Sequence, residues 1–343
     1  MELRRLGNSD LEVPLLALGT GTFGGSGPIF AAWGQTDVVE ARRFIDICLE
    51  AGCNFYDTAD AYSGGAAEQI LGEALGNRRQ KALIATKVGL PTGAEPAGYG
   101  LGEKRLTQAV EASLRRLRTD YIDLLQLHAL DASVPPEDLL RTLRSLVDSG
   151  KVRHVGASNY PAWQLMKALS LADQGKGPRF VSHQVYYSLI GRDHETDLMP
   201  LGLDQNVGTL VWSPLGWGRL VRRLQHGELP PKDSRQSHDQ SIAPHVEQAL
   251  LERVLACLEG IAEEVGRSIP QVALNWLRMR PGISSVIIGA RTESQLRDNL
   301  AAAEWSLTAE QIEMLDLASA VRKPYPQSLY AQGPFAMMNP PVI

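Results

Sequence analysis

Cysteine is scarce in this chain of 343 residues: there are three, Cys48, Cys53 and Cys257, an odd number with no C-x-x-C pair. That argues against a disulfide framework or a cysteine-based zinc site, and the three read as buried, reduced thiols. The seven histidines lack ligand spacing, so no metal site is expected. An excess of either charge is missing as well, with 34 basic against 39 acidic side chains and a net charge of -5. Without a basic stripe or a Lys/Arg-rich amphipathic helix, neither nucleic acid nor a membrane surface is an expected partner. No apolar run approaches the roughly 20 residues of a membrane span. The opening MELRRLGNSD holds no apolar core of a signal peptide, so a cytoplasmic location is expected.

What is present has the balance of a globular protein, 44% hydrophobic and 21% charged. LRRLGNSDLEVP predicts an N-terminal β-hairpin, about residues 1–14, turning at Asn8-Ser9-Asp10. Eight short β-like runs follow: 15–19, 53–58, 82–88, 121–128, 152–158, 180–185, 208–213 and 284–289. Amphipathic stretches alternate with them, as in PPEDLLRTLRSLVDSG, where Leu139, Leu143, Leu146 and Val147 keep a helical period. Eight strands alternating with helices predict an α/β fold, a (β/α)₈ TIM barrel with extra helices and long mouth loops, as one domain over 1–343. Asp57, Lys87, His128, Ser158, Gln184 and Ser213 stand at successive strand ends, 26 to 41 residues apart, about one β-α unit per step. That is the face where barrel enzymes keep their chemistry. The interval from Ser213 to Gly289 is longer, and holds a polar insertion at about 216–245 and an extra helix at 246–265.

Gly19, Gly21 and Gly24 spell G-x-G-x-x-G, the dinucleotide fingerprint of Rossmann proteins. That fingerprint needs its third glycine to open a helix and an acid to end the next strand. Here Gly24 runs into Gly25-Ser26-Gly27-Pro28, with helix expected from about Thr36, and Glu40 falls inside that helix. The glycines are therefore read as a loop leaving the first barrel strand, in which Gly21 and Thr22 would let backbone approach a cofactor closely.

Asp57, Tyr62, Lys87 and His128 would converge at one mouth of such a barrel. A phenol is a poor acid at neutral pH, but an adjacent desolvated ammonium favours its anion, and a buried carboxylate keeps that ammonium charged. With an imidazole to hold a carbonyl oxygen, the set suits protonation of an oxygen that becomes anionic as a hydride arrives. Singly, each residue has a plainer reading as a turn, solvated or packing residue; four on three successive strand ends make a stronger case.

NFYDTADAYSGG, ATKVG, DLLQLH, VGASNY, SHQVYYSL, VWSPLGWG and IIGARTESQLRDN together resemble the aldo-keto reductase superfamily, from about residue 1 to 320. The resemblance implies an NADPH-dependent barrel without a Rossmann domain, reducing aldehydes or ketones. It implies Tyr62 as acid, Lys87 and Asp57 as its tuners, and His128 as the residue orienting substrate, with Asp57 also on the cofactor side. Ser158, Asn159 and Gln184 resemble the family's nicotinamide carboxamide clamp, and Trp212 its stacking aromatic. Ser213, Leu215, Gly216 and Gly218 match the loop over the pyrophosphate. Gly289, Arg291, Gln295 and Asn299 match the adenosine end. Arg291 before a helix suits a 2′-phosphate, and no acid takes its place, so NADPH is expected over NADH.

Phe23, Trp33 and Trp217, with Tyr62 and His128, are the expected substrate-facing residues, and the resemblance implies three segments over the substrate: the loops after the first and seventh strands and the tail 321–343. They suggest a wide apolar pocket for bulky or cyclic carbonyls. Two other classes stay open at this point: a cofactor-binding protein of the potassium-channel β-subunit type with little turnover, and a barrel isomerase or aldolase using Lys87 as a Schiff-base amine.

Overall fold

A computed structural model describes residues 1–92, 98–222, 243–330 and 333–338. Two strands, β1 (Leu3–Arg5) and β2 (Glu12–Pro14), pair antiparallel as the expected hairpin. Eight parallel strands then close a barrel in chain order: β3 (Leu16–Gly19), β4 (Phe55–Asp57), β5 (Leu83–Val88), β6 (Ile122–Leu127), β7 (Val152–Ser158), β8 (Ser182–Tyr186), β9 (Gly208–Trp212) and β10 (Ile283–Ile288). The protein is a (β/α)₈ TIM barrel, as the alternation predicts.

The helices that cover it begin with a short α1 (Gly27–Phe30), then α2 (Val38–Glu50), α3 (Ala66–Leu75), α4 (Glu103–Leu117), α5 (Pro136–Asp148) and α6 (Ala162–Asp173). They continue with α7 (Leu198–Gln205), α8 (Gln248–Val265), α9 (Ile269–Arg278), α10 (Glu293–Ala301) and α11 (Ala309–Ala318). Among these described residues no helix is long and apolar enough to cross a membrane. Most of the expected insertion at 216–245 and parts of the tail at 321–343 lie outside the described residues.

Strand pleat sorts the side chains. Ala17, Phe55, Ala85, Leu124, Leu210 and Ile287 form a cluster with Leu6 and Val13 of the hairpin, apart from the larger clusters that include helix residues. Their strand neighbours Leu16, Leu18, Tyr56 and Ile84 pack with α2 and α3 instead. Because side chains two apart along a strand share a face, the next inward positions are Asp57 above Phe55, Lys87 above Ala85, Gln126 above Leu124 and Trp212 above Leu210. The barrel therefore carries an apolar layer with a polar one directly over it, toward the strand C-termini.

The hairpin closes the opposite end. Arg4 Nη1 donates to the carbonyls of Arg278 and Ile283 at 2.8 Å each, Asn8 N–H donates to Asn206 O at 2.8 Å, and Ser285 Oγ donates to Pro14 O at 2.7 Å. These contacts bring Leu6 and Val13, both fully buried, under the inner layer.

The glycine fingerprint resolves as a loop. Phe23 and Thr36 bridge the two sides of that loop, and Asp37 caps α2 through a capping box with Glu40. Glu40 thus satisfies a helix end, as its place inside the helix leads one to expect. One helical turn, α1, forms earlier than the expected start near Thr36. The strand expected at 53–58 is shorter, since Cys53 turns its N–H back to Cys48 O at 2.8 Å. Helix α7 has no counterpart in the sequence reading; Pro200 and Gly202 disguise it. Cys48 and Cys53 are buried as expected, whereas Cys257 is half-buried.

The floor contact gives a direct test. Leu6→Ala should destabilise the protein by roughly 2–5 kcal/mol in urea unfolding, as deletion of a packed core leucine does. Gly7→Ala should cost at least as much, because φ is +56° there and a Cβ would stand 2.3 Å from Val181 O. Unfolding midpoints equal to wild type would show that the hairpin is a passive appendage.

Candidate functional site

The β4 end and the loop after it place Asp57 and Tyr62. Thr58 N–H donates to Ala85 O at 2.9 Å and Tyr62 N–H to Ala59 O at 3.2 Å, so the loop turns back over the neighbouring strand. Directly after Tyr62 the chain adopts left-handed backbone at Ser63 (φ 51°), Gly64 (φ 64°) and Gly65 (φ 92°) before α3 begins. Serine is strained there. It is held by its Oγ donating to Phe23 O at 2.9 Å and by Ser26 Oγ donating to Ser63 O at 2.9 Å. The loop after β3 and the turn bearing Tyr62 are thereby stitched together.

Lys87 lies one strand over and is 1% exposed. Its Nζ donates to Asp57 Oδ1 at 2.5 Å, to Thr58 O at 2.9 Å and to Tyr62 Oη at 3.2 Å. Three donors thus meet three acceptors around a buried ammonium and carboxylate, the condition under which a buried ion pair is sustained. Burial works against the ammonium, yet the Asp57 carboxylate and the Tyr62 phenol outweigh it, and the pKa of Lys87 rises above the ordinary lysine value. The other carboxylate oxygen of Asp57 accepts from Gln184 Nε2 at 2.8 Å and Gln126 Nε2 at 3.1 Å.

His128 follows β6, with its N–H bonded to Val88 O at 2.9 Å. Its ring lies 5.8 Å from that of Tyr62, nearly perpendicular. Burial first, and the Lys87 charge second, hold the imidazole well below its usual pKa, so it is neutral at neutral pH. Its Nδ1 is buried and makes no hydrogen bond.

Tyr62 and His128 open onto a cavity of about 1020 Å³, at the large end for small-molecule sites. Near them stand Asp57, Ser158, Asn159 and Gln184; Asn159 donates to His128 O at 3.1 Å and accepts from Trp212 Nε1 at 3.1 Å. Gly21, Thr22, Trp212, Ser213, Leu215 and Gly218 line the next stretch, with Gly289, Arg291, Gln295 and Asn299 at its far end. There Thr292 caps α10, Gln295 Oε1 accepts from Arg291 N–H at 2.9 Å, and Asn299 Nδ2 donates to Gly289 O at 3.1 Å. Trp33 and Trp217 form another wall, their rings 5.8 Å apart and edge-on.

Three expected residues do not line this space. Lys87 sits behind it, reaching it through Tyr62. Gly216 lies beneath the loop it helps to bend. Phe23 is a correction: it is fully buried in the core among α2 and α3 residues, because the bridge to Thr36 turns it inward. Phe30 of α1 stands in the cavity wall instead, 5.2 Å from the Tyr62 ring. Gln126 was missed as well; the one signal for it is a lone amide in the apolar strand IDLLQL, and its register opposite Lys87 gives it meaning.

The donor set suits a long, two-ended molecule. Amide and hydroxyl groups at the inner end match a carboxamide, an indole offers a flat face, and a guanidinium before a helix N-terminus suits a phosphate. The Thr22 hydroxyl, buried in the cavity wall without a partner, is a further polar group left for a ligand. Among the described residues, no three His, Cys, Asp or Glu side chains group as metal ligands.

Comparison with known proteins identifies the family. The Aldo/keto reductase family model matches residues 15–320. A probable voltage-gated potassium channel subunit beta of Arabidopsis thaliana is 35% identical over 312 residues, covering 89% of this chain and 92% of that one. An uncharacterized oxidoreductase of Bacillus subtilis, YrpG, is 34% identical over 327 residues, covering 92% and 95%. The versiconal hemiacetal acetate reductase of Aspergillus parasiticus is 32% identical over 343 residues, covering 92% and 96%. The chain belongs to the aldo/keto reductase family, whose members generally use NAD(P)H, and is an oxidoreductase of the carbonyl-reducing kind.

Proposed function

We propose that the protein reduces a ring-bearing aldehyde or ketone to the alcohol with NADPH, and that Tyr62 is the general acid. The observation that carries this reading is Lys87 Nζ touching both the Asp57 carboxylate and the Tyr62 hydroxyl, beside a neutral His128. When bound, reduced nicotinamide supplies the hydride to the carbonyl carbon. Tyr62 Oη gives its proton to the carbonyl oxygen as the C=O electron pair moves onto that oxygen. Lys87, kept charged by Asp57, stabilises the phenolate left behind. His128, neutral and facing the same space, holds the substrate oxygen by a hydrogen bond.

Ser158, Asn159 and Gln184 would grip the carboxamide, and Trp212 would give the ring its stacking face. Ser213, Leu215, Gly216 and Gly218, with Gly21 and Thr22 opposite, would pass along the pyrophosphate, and Arg291 would meet the 2′-phosphate. Phe30, Trp33 and Trp217 support an apolar substrate with a flat ring. The raised pKa of Lys87 disfavours a Schiff-base role, since an ammonium is no nucleophile. The potassium channel subunit relatives keep a second reading open, a cofactor-binding subunit with little turnover. Steady oxidation of NADPH in the presence of 4-nitrobenzaldehyde or a diketone supports the reductase; a single slow turnover supports the subunit.

Tyr62→Phe should lower kcat by about 10²–10⁴-fold, the usual worth of a positioned acid, while NADPH affinity by fluorescence titration stays near wild type. Wild-type turnover in this variant would remove Tyr62 from the reaction.

Arg291→Ala should weaken NADPH by roughly 10–100-fold, the worth of a charged hydrogen bond, and leave NADH almost unchanged. Equal losses for both would contradict the phosphate assignment.

Lys87→Met should destabilise the fold by about 3–5 kcal/mol, because it leaves Asp57 buried without its cation. In the wild type the contribution from the raised Lys87 pKa is complete below the ordinary lysine pKa near 10.4 and is lost as pH climbs through the higher folded value. Unfolding midpoints from pH 8 to 11 for both proteins check the sign: the gap between them should narrow only at the alkaline end.

A further inference from the structure

Two residues before Tyr62 stands Asp60, 1% exposed, with no side chain within hydrogen-bond distance of either carboxylate oxygen. Its backbone is committed, since its N–H donates to Lys87 O at 3.0 Å. Its side chain meets Arg105 of α4 at 3.9 Å, beyond hydrogen-bond reach, and the Nε of Arg105 is likewise buried and unbonded. The neighbouring charges are otherwise spent. Glu68 of α3 takes Arg116 of α4 at 2.6 Å and the Thr86 hydroxyl at 2.6 Å. Arg105 is therefore the cation left for Asp60, and it also donates to Gly98 O at 2.7 Å, in the loop whose residues Leu90 and Pro91 line the cavity.

The turn bearing Tyr62 must be held from both sides because it contains three consecutive left-handed residues. Downstream, Ser63 supplies the hold through Phe23 and Ser26. Upstream, Asp60 is the matching position: its Oδ2 stands 3.9 Å from Arg105 Nη2, which already holds Gly98 O, and the unbonded Nε of the same guanidinium leaves capacity for a charge-assisted pair.

We propose that Asp60 and Arg105 form a latch between the Tyr62 turn and the loop after β5, and that Asp60 in its ionised form is a positioning residue for the Tyr62 hydroxyl. The role in turnover rests on the reductase reading; the latch itself does not. Burial, then the Glu68 carboxylate, push the Asp60 carboxyl up to about 7, with Arg105, Arg116 and the Ala61 backbone N–H pulling the other way. Those three side chains are the charged groups acting on it from α3 and α4. Protonation below neutral pH releases Arg105, and ionisation above it engages the pair.

Asp60→Asn and Arg105→Gln test this singly and together. Each should lower kcat about tenfold with the KM for NADPH unchanged, within the up to ~100-fold that a 1 Å misplacement costs. The double variant should be no slower than either single one. In wild type kcat should fall as pH drops from 8 to 6, and Asp60→Asn should lack that limb. Hydrogen exchange needs no substrate: amides of 59–65 should exchange faster in both single variants at pH 8. Wild-type kcat, losses that multiply in the double variant, or an unchanged acid limb in Asp60→Asn each overturn the positioning role. Wild-type exchange at 59–65 overturns the latch. If the wild-type protein turns over no carbonyl, the reductase reading fails and exchange alone decides the latch.

Discussion

The contact between Lys87 Nζ and the Asp57 carboxylate organises this molecule's upper half. An ammonium and a carboxylate removed from water are each costly, and neither is tolerable without the other. Their joint demand for partners explains much of the surrounding polar layer. Gln126 and Gln184 face Asp57 because the second carboxylate oxygen needs donors, and the Thr58 carbonyl turns inward because the ammonium needs a third acceptor. The remaining direction leads to Tyr62 Oη. A residue set that looks arranged for chemistry is equally what a buried ion pair requires of its neighbours.

Local strain gathers at the same rim. Ser63, Asn159, Ser213 and Trp217 all carry positive φ, and each lies in a loop just past a barrel strand. Such backbone persists where surrounding contacts outweigh its cost. Asn159 is fixed by His128 and Trp212, and Ser63 by Phe23 and Ser26. Trp217 is held between the rings of Trp33 and Trp212. The rim is thus preformed by hydrogen bonds and ring contacts between loops from different strands.

The sequence made the barrel and its polar strand ends legible for one reason: period two survives in short parallel strands. Phe55 and Asp57, and Ala85 and Lys87, are each two apart, so the step from an apolar layer to a polar one shows in the spacing; Leu124 and Gln126 repeat it, but only the register opposite Lys87 reveals Gln126. Loops obey no such period. Phe23 and Phe30 look alike in a glycine-rich stretch, and only the backbone bridge to Thr36 decides which ring turns to the core. Helix α7 escaped notice because its proline and glycine contradict local propensity, a conflict overridden by packing. Asp60 was invisible as a special residue, since an acid in DTADAY reads as a solvated turn until its burial is known.

The hairpin beneath the barrel has one more implication. With Leu6 and Val13 packed under the innermost apolar layer, the cylinder is a blind cup whose floor admits nothing. Whatever reaches the phenol arrives over the rim and leaves by the same doorway. Any molecules that share the cup therefore compete for a single opening.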